Sequence, residues 1–446
     1  MNKLYAGFAR TNVTPMMGIG LIGYFHPRYA DGVLDELEIN ALAVSVDDKK
    51  AVLLSFDNEG VEQVASLKLR QAVSQACGIP VEAVYLHATH THTGPSVSDT
   101  TDPLVPEYAQ FVTHKMADVA KAALEDLKPA KMGYGIGQAP NVAFVRRFRM
   151  KDGSLQTNPG VNNPNIDHPV GDVDERVNVV RFDQEGGKSL VLVNFGNHPD
   201  TIGGNKISGD WPALVRPVVE NALENTRCIF FNGVQGDVNH VNVFPAPGFL
   251  NDTFNDFDDV ARGYGHTRYI ARCVAGAVMQ VYDKVAYVDV DKIGYAQKIL
   301  SVPAQKATPE ELVEAHRIND LHLAGKDDQL PYRGMMLTTV VAEAGRMVNL
   351  EHAPDTMDMT LSAVAIGPIV MAGIPGEPFT GIGRSIKLAE GWGLVLPTCM
   401  TNGCQGYFPM MDAYEEGGYE ARSSKYSKGV AETIAEESKK LLATLL

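Results

Sequence analysis

Apolar and polar positions alternate along the chain in the manner of short strands and amphipathic helices. Residues 39–46 and 51–56 are apolar runs on either side of the polar turn Asp47-Asp48-Lys49-Lys50, which predicts a strand pair. From 61 to 76 the positions Val61, Val64, Leu67, Ala72, Val73 and Ala76 keep helical spacing, and Gly78 follows as a C-cap. Residues 81–86 return to β-formers. A long helix is predicted over 106–127, with Pro106 in its first turn and Pro129 beyond its end. The tract 141–173 is rich in Asn, Pro and Asp and reads as loop. Strands follow at 177–182 and 189–195, a helix at 212–224, a short buried strand at 228–231 and a helix at 258–282. Between 285 and 370 strands alternate around one helix at 309–323. An apolar strand at 363–371 leads into a helix ending near 389. A last strand at 395–400, a glycine- and tyrosine-rich loop and a C-terminal helix at 427–446 complete the chain.

This order predicts an α/β fold, a single domain over 1–446 with a mixed central β-sheet flanked by helices. Polar residues gather just after the strands, the edge at which α/β folds place their sites. With 446 residues the chain can bury a large core, and its 45% hydrophobic and 21% charged content is that of a globular protein. A formal charge of −15 leaves no basic footprint, so neither nucleic acid nor an anionic membrane surface is expected as a partner. No apolar run is long enough to span a bilayer, and the first residues, Met1-Asn-Lys-Leu-Tyr-Ala-Gly-Phe8, have no apolar segment of the signal-peptide kind. Five cysteines, an odd number without a C-x-x-C pair, suit free thiols in a reducing compartment. A cytoplasmic protein is expected.

The candidate chemistry lies at the strand ends. Leu86-His-Ala-Thr-His-Thr-His-Thr-Gly-Pro-Ser96 carries His87, His90 and His92 within six residues. In extended backbone His90 and His92 leave from one face and His87 from the other. The pair can share a zinc ion through bonds of ~2.0 Å, or it can be a polar strand end with hydrogen-bonded imidazoles. His198 follows the strand at 189–195, and Glu377 follows that at 363–371. A catalytic zinc takes about three protein ligands and keeps a position for water, which residues from separate strand ends would supply. Singly, His198-Pro199 is also a strand terminator, and Glu377 in a helix's first turn offsets the helix dipole by ~0.3–1 kcal/mol without any metal. Other hydrolase signatures are missing. There is no H-E-x-x-H, no G-x-S-x-G and no P-loop, and H-T-H-T-G lacks the Asp-His of the metallo-β-lactamases. Arginines such as Arg146 and Arg147 are more often solvated surface charges, but two of them beside Asn- and Pro-rich loops also suit an anionic substrate or an oxyanion.

Taken in order, these stretches resemble the catalytic domain of the neutral/alkaline (non-lysosomal) ceramidases, which are zinc-dependent amidases. The resemblance rests on Thr89-His-Thr-His-Thr-Gly-Pro95, on Asn197-His198 with Ile207-Ser-Gly-Asp210, on Gly236-Asp-Val238, on Pro375-Gly-Glu377 and on the series Tyr407, Tyr414, Tyr419. It runs from near residue 5 to about 425 and is weakest between about 240 and 360. The resemblance implies a zinc ion held by His90, His198, Glu377 and Tyr407. It also implies that His92, Tyr419 and an arginine, Arg146 ahead of Arg147, contact the reacting water or carbonyl. Strand geometry alone would make His92 a second ligand, whereas the resemblance sets it beside the metal. Asp210 and Asp237 either orient ligands from behind or cap loops and helix starts. The family's serine after Gly-Asp-Val is Asn239 here, and the family's C-terminal β-sandwich has no counterpart in the resemblance. The expected function is zinc-dependent hydrolysis of an amide or ester in a small substrate other than ceramide, by metal-activated water. Alternatives are a metal-dependent lyase or isomerase acting on a polyol or sugar acid, and a non-catalytic metal-containing binding protein.

Overall fold

The computed structural model describes residues 3–258 and 260–446. Eight strands build the main sheet: β1 (Leu4–Asn12), β2 (Glu38–Val46), β3 (Lys49–Phe56), β4 (Val84–Ala88), β5 (Lys128–Gln138), β6 (Arg176–Gln184), β7 (Ser189–Phe195) and β8 (Thr226–Asn232). Their order is β8-β7-β6-β5-β1-β2-β3-β4, and β9 (Ala286–Val288) adds to β5. The edge pairs β3/β4 and β7/β8 are parallel, so β4 and β7, whose loops carry the histidines, each run alongside a parallel neighbour. A smaller sheet has the order β10 (Ile293–Pro303), β11 (Thr356–Ile366), β12 (Ile369–Gly373) and β13 (Leu394–Thr398). The fold is α/β with a mixed central sheet, as the alternation of elements predicts.

Helices cover the sheets in separate apolar layers. Leu69 and Val73 of α1 (Gln63–Cys77) and Val112 and Met116 of α2 (Val105–Glu125) join the core of β1–β4. Trp211, Val215 and Val219 of α3 (Asp210–Ala222) meet Ile270, Val274 and Val278 of α4 (Tyr264–Val281) over β6–β8. A helical hairpin, α5 (Pro309–Leu323) and α6 (Gly334–Leu350), is inserted between β10 and β11 and holds a small core of its own around Ile318, Val340 and Val341. Finally α7 (Thr380–Ile386) and α8 (Val430–Ala443) pack on the smaller sheet. Among the described residues no helix is long and apolar enough to cross a membrane.

The main sheet curls until its two edges meet, and this closure builds the site. Ser55 Oγ of β3 donates to the Phe230 carbonyl of β8 at 2.5 Å, and the Asn232 N–H of β8 donates to His87 Nε2 of β4 at 2.9 Å. The loop after β13 lies in the seam. Cys399 N–H donates to Asn232 O, Ala88 N–H donates to Met400 O, and Asn402 N–H donates to Leu86 O. His87 donates from Nδ1 to the Cys399 carbonyl at 2.8 Å, and burial pushes it down to about 3, so it is a neutral bridge within the seam.

Three sequence expectations change. The tract 141–173 contains four short paired strands: Phe144–Val145, which pairs with Val238–Asn239, and Arg147–Met150, Leu155–Thr157 and Ile166–Pro169, which form a small sheet. In that small sheet Phe148, Met150, Leu155 and Ile166 are buried, while the Asn and Asp residues that suggested loop, Asp167 excepted, lie outside the strands. The helix expected from 258 begins only at Tyr264, after Gly263, because Arg262 belongs to a short strand pair. Helix α6 was not expected, since its run Thr338-Thr339-Val340-Val341 is β-branched and reads as strand. By contrast Gly78 does cap α1, with φ +63° and its N–H on Ser74 O.

A buried ion cluster supports the seam from below. Arg216 of α3 donates to Asp57 at 2.8 Å and to Glu38 at 3.1 Å. Arg216→Met should lower unfolding free energy in urea by about 3–5 kcal/mol, because it strands the buried Asp57 carboxylate without its counter-charge.

Candidate metal centre

The loop after β4 is pinned by the backbone. Thr89 and His90 N–H groups donate to the carbonyls of Phe56 (2.9 Å) and Asn58 (2.8 Å). His90 has φ +75°, a left-handed conformation that costs a non-glycine residue about 1–3 kcal/mol and persists only where its surroundings enforce it. His90 and His92 therefore converge because the loop turns, and the extended backbone assumed from the sequence ends at Ala88. Arg28 Nη2 donates to the His92 carbonyl at 2.6 Å. At Gly23, φ +106°, a Cβ would come within 2.8 Å of His92 Cα, so a side chain there would displace the histidine.

The other segments are tied to this loop by their own carboxylates and ladders. Asp210 accepts from Thr201 N–H at 2.9 Å and from Trp211 N–H at 2.6 Å, fastening the loop behind His198 to the start of α3. Asp237 accepts from Thr380 N–H (2.7 Å) and Oγ1 (2.9 Å), which fixes the start of α7 just beyond Glu377. Both aspartates thus cap a helix start and, in doing so, position a candidate ligand's segment. Glu377 and Tyr407 face one another on a two-residue parallel bridge. The Gly236 N–H donates to Pro378 O and the Arg146 N–H to Asp237 O, so four distant segments form one floor.

On this floor three imidazoles meet. His90, His92 and His198 are buried, and their Nε2 atoms lie 3.2 Å (90–198), 3.3 Å (90–92) and 3.1 Å (92–198) apart. Glu377 Oε2 is 3.3 Å from His90 Nε2 and 3.7 Å from His198 Nε2. Atoms bound tetrahedrally at ~2.0–2.1 Å to one ion lie roughly 3.3 Å apart, so the spacing fits a shared cation. The tautomers fit as well. His90 Nδ1 faces the Glu59 carbonyl at 2.6 Å and His198 Nδ1 faces the Gln235 carbonyl at 3.5 Å. Carbonyls only accept, so each Nδ1 carries the hydrogen and each Nε2 turns a lone pair inward. Glu377 Oε2 is buried without a hydrogen-bond partner. Converging lone pairs beside an unpartnered carboxylate call for a positive charge between them, and the cluster can bind a metal ion. A proton is the competitor. Burial alone would keep His90 neutral, but the carboxylates of Glu377 and Glu59 outweigh it and push it up to about 9. Burial and the charge of His90 hold His92 well below its ordinary value, and burial with the charge of Arg146 does the same to His198.

His92 differs from the other two in one respect: its Nδ1 is buried with no hydrogen-bond partner. Distance makes it equivalent to a ligand, while the missing orienting contact, which ligating histidines usually have, sets it apart. Arg146, Tyr407 and Tyr419 lie together beside the centre. Arg146 Cζ is 5.3 Å from the Tyr407 ring centre, and the two tyrosine rings meet edge-on with centres 5.4 Å apart. Arg146 Nε lies 2.7 Å from Glu420 Oε1, and its Nη2 donates to Gly236 O at 2.7 Å. Arg147, its rival in the sequence, turns to Glu416 at 3.1 Å and to the Phe379 ring. Burial and the nearby Glu377 charge push the Tyr407 phenol far up, and Tyr419 rises for the same reasons.

A cavity of about 270 Å³ opens from this floor, lined by His92, His198, Arg146, Tyr407 and Tyr419. Five more residues of its lining have no motif in the sequence: Tyr24 (its ring 5.0 Å from that of His92), Asp200, Asp258, Arg262 and Asn158. Asp200, two residues after His198, was the legible member, since its carboxylate follows a candidate ligand directly. Arg262 and Asp258 lay hidden in the tract misread as helix. Met335, Leu337 and Val341 of α6 line the cavity too. The α5–α6 hairpin is tied to the opposite loop by His322, whose Nε2 is 3.0 Å from the Phe25 carbonyl and whose Nδ1 is 3.0 Å from Asp327.

No family model matches the chain, and no curated protein sequence is found similar to it. Solved structures are. The chain superposes on the crystal structure of neutral ceramidase from Pseudomonas aeruginosa with a TM-score of 0.73 and 15% identity, covering 99% of this chain and 74% of that one. A ceramidase solved in complex with C2 matches with a TM-score of 0.72 and 15% identity, over 99% of this chain and 75% of that one. The resemblance read from the histidine, glycine and glutamate motifs therefore extends to the whole architecture: the chain has the fold of the neutral ceramidases.

Proposed function

We propose that the chain is a zinc-dependent hydrolase that cleaves an amide or ester bond in a small substrate. The observation that carries this reading is the convergence of three imidazole Nε2 atoms and an unpartnered carboxylate at the floor of a cavity. The ceramidase neighbours support the hydrolytic class. His90, His198 and Glu377 would hold the zinc, with Tyr407 completing the set. Bound there, zinc supplies Lewis acidity, drawing the pKa of a water towards ~7 and polarising a carbonyl. His92, unfixed at Nδ1, accepts a proton from the attacking water and delivers it to the leaving nitrogen or oxygen. A carbon–oxygen bond forms at the acyl carbon, the bond to the leaving group breaks, and carboxylate and amine or alcohol depart. Arg146 and Tyr419 donate to the carbonyl oxygen as it gains charge, an effect worth ~3–4 kcal/mol per well-placed donor. Glu420, at 2.7 Å from Arg146, holds the guanidinium in place.

Protein purified without added metal should contain about one equivalent of zinc. Stripping it with a chelator should lower the melting temperature, and restoring zinc at 100 times its Kd should return ~2.7 kcal/mol of stability. Negligible metal with no gain on adding zinc would overturn the reading. Hydrolysis in isotopically labelled water should place the label in the carboxylate product. Turnover without label would establish the lyase or isomerase chemistry instead, and bound metal with no turnover on acyl amines, esters, lactones or sugar acids would leave a binding protein.

A further inference from the structure

The hydrolase reading leaves the substrate open, and the polar lining of the cavity beyond the histidines narrows it. Asp200, Asp258 and Arg262 belong to that lining, and all three are nearly buried, with 6%, 7% and 1% exposure. Asp258 and Arg262 form a two-pronged ion pair at 2.6 and 3.0 Å. Asp200 Oδ1 faces His240 Nδ1 at 3.0 Å, whereas its Oδ2 is 3.6 Å from the nearest Arg262 nitrogen, beyond hydrogen-bonding distance. An adjoining cavity of about 470 Å³ shares Asn158, Asp258 and Tyr419 with the first and continues past Gln156, Thr157 and Arg422. A hydrocarbon chain laid along the polar part of this lining would strip water from the Asp200 carboxylate and the Asn158 and Gln156 amides and return no hydrogen bond. Hydroxyl groups, each both donor and acceptor, can satisfy all of them. The Tyr24 and Phe257 rings, 4.8 Å apart and edge-on, are themselves covered by the Arg262 guanidinium, at 5.0 and 4.8 Å from their centres, which holds this part of the lining in place.

One residue of this lining has its amide orientation set by the network. The Val241 N–H donates to Asn239 Oδ1 at 3.0 Å, which makes Nδ2 the atom that Asn239 turns to Asn158. That Nδ2 donates to Asn158 Oδ1 at 3.0 Å. Asn158 Oδ1 is therefore occupied, and its Nδ2 is the group Asn158 can offer to a ligand in the cavity it lines. Asn239 stands where the ceramidases resembled by this sequence have serine, whose side chain is one bond shorter and carries no amide. We propose that the cleft takes a small polyhydroxylated substrate, a short-chain acyl derivative of a sugar-like amine or alcohol, and that Asn158, oriented by Asn239, is a specificity-determining donor to it. The short acyl group would lie against Met335, Leu337 and Val341.

The test compares zinc-loaded enzyme on three probes: an N-acetyl hexosamine, N-acetyl cyclohexylamine of similar size without hydroxyls, and an N-hexadecanoyl sphingoid base. The hexosamine derivative should have the highest kcat/KM. Asn158→Asp, which keeps the shape and replaces the donor, should lower the preference for the hydroxylated over the unhydroxylated probe at least tenfold, mainly through KM, with an unchanged melting temperature. Equal or better turnover of the long-chain or unhydroxylated probe overturns the proposal and leaves the hydrolase reading intact. If no probe is hydrolysed, the wider panel of esters and lactones decides the hydrolase reading, and calorimetry decides the proposal. Binding of the free hexosamine, weakened at least tenfold by Asn158→Asp, sustains it, and no binding overturns it.

Discussion

Replacing His90 or His198 by alanine will empty the centre of metal, while His92→Ala will keep its zinc and lose about 10²–10⁴-fold in turnover, the range for removal of a general base. All three Nε2 atoms are 3.1–3.3 Å apart, so distance gives no reason for the variants to differ. The reason lies on the far side of each ring. His90 is held at 2.6 Å by the Glu59 carbonyl and lies 3.3 Å from Glu377, whereas His92 has nothing on Nδ1. A ligand whose ring is fixed by a second contact loses little freedom on binding metal. A ring without that contact can swing between taking up and releasing a proton. Metal content by mass spectrometry, measured beside kcat, separates the cases. Complete loss of metal from His92→Ala would make His92 a third nitrogen ligand and remove the proton carrier from the proposed mechanism.

Arg146→Met will cost about 10²–10³-fold in kcat, the effect of deleting one oxyanion donor, and will also destabilise the fold by about 3–5 kcal/mol. The two losses have different origins. The first is the missing donor at the carbonyl oxygen. The second is Glu420, fully buried, whose charge Arg146 balances at 2.7 Å and whose other oxygen accepts from Thr157 Oγ1 at 2.9 Å. The double variant Arg146→Met, Glu420→Gln should therefore recover most of the stability measured in urea and none of the turnover. Equal stability of the single and double variants would show that the pair is not coupled.

The resemblance implied Tyr407, which the structure sets on the bridge beside Glu377. The strand-and-loop logic of the sequence placed His90, His92, His198 and Glu377 at element ends, and the structure brings these four to one point. These residues were legible because each follows an apolar strand and enters a glycine- or proline-rich loop. The rest of the cavity lining was not. Arg262 and Asp258 sit in a stretch whose apolar spacing suggested helix, and Asn158 sits in a tract whose composition suggested loop. Their roles depend on partners as far as 62 and 81 positions away in the chain, or on a local strand pair, that composition does not reveal. Helix α6 was missed because four β-branched residues outweighed its helical context. The curling of the main sheet was likewise invisible, since the contacts that close it run between β3, β4, β8 and the loop after β13.

That closure has a kinetic consequence. The histidines lie in loops that follow strands near opposite edges of a sheet whose middle is made of other segments, and a loop that bridges those edges follows β13, near the end of the chain. The complete centre requires both edges and the late loop to come together, and closing so long a chain is slow compared with forming its local helices and hairpins. Tight capture of zinc would therefore mark the last stage of folding rather than seed it, and a chain cut short before the loop would be a poor scavenger of metal however well its strands had formed.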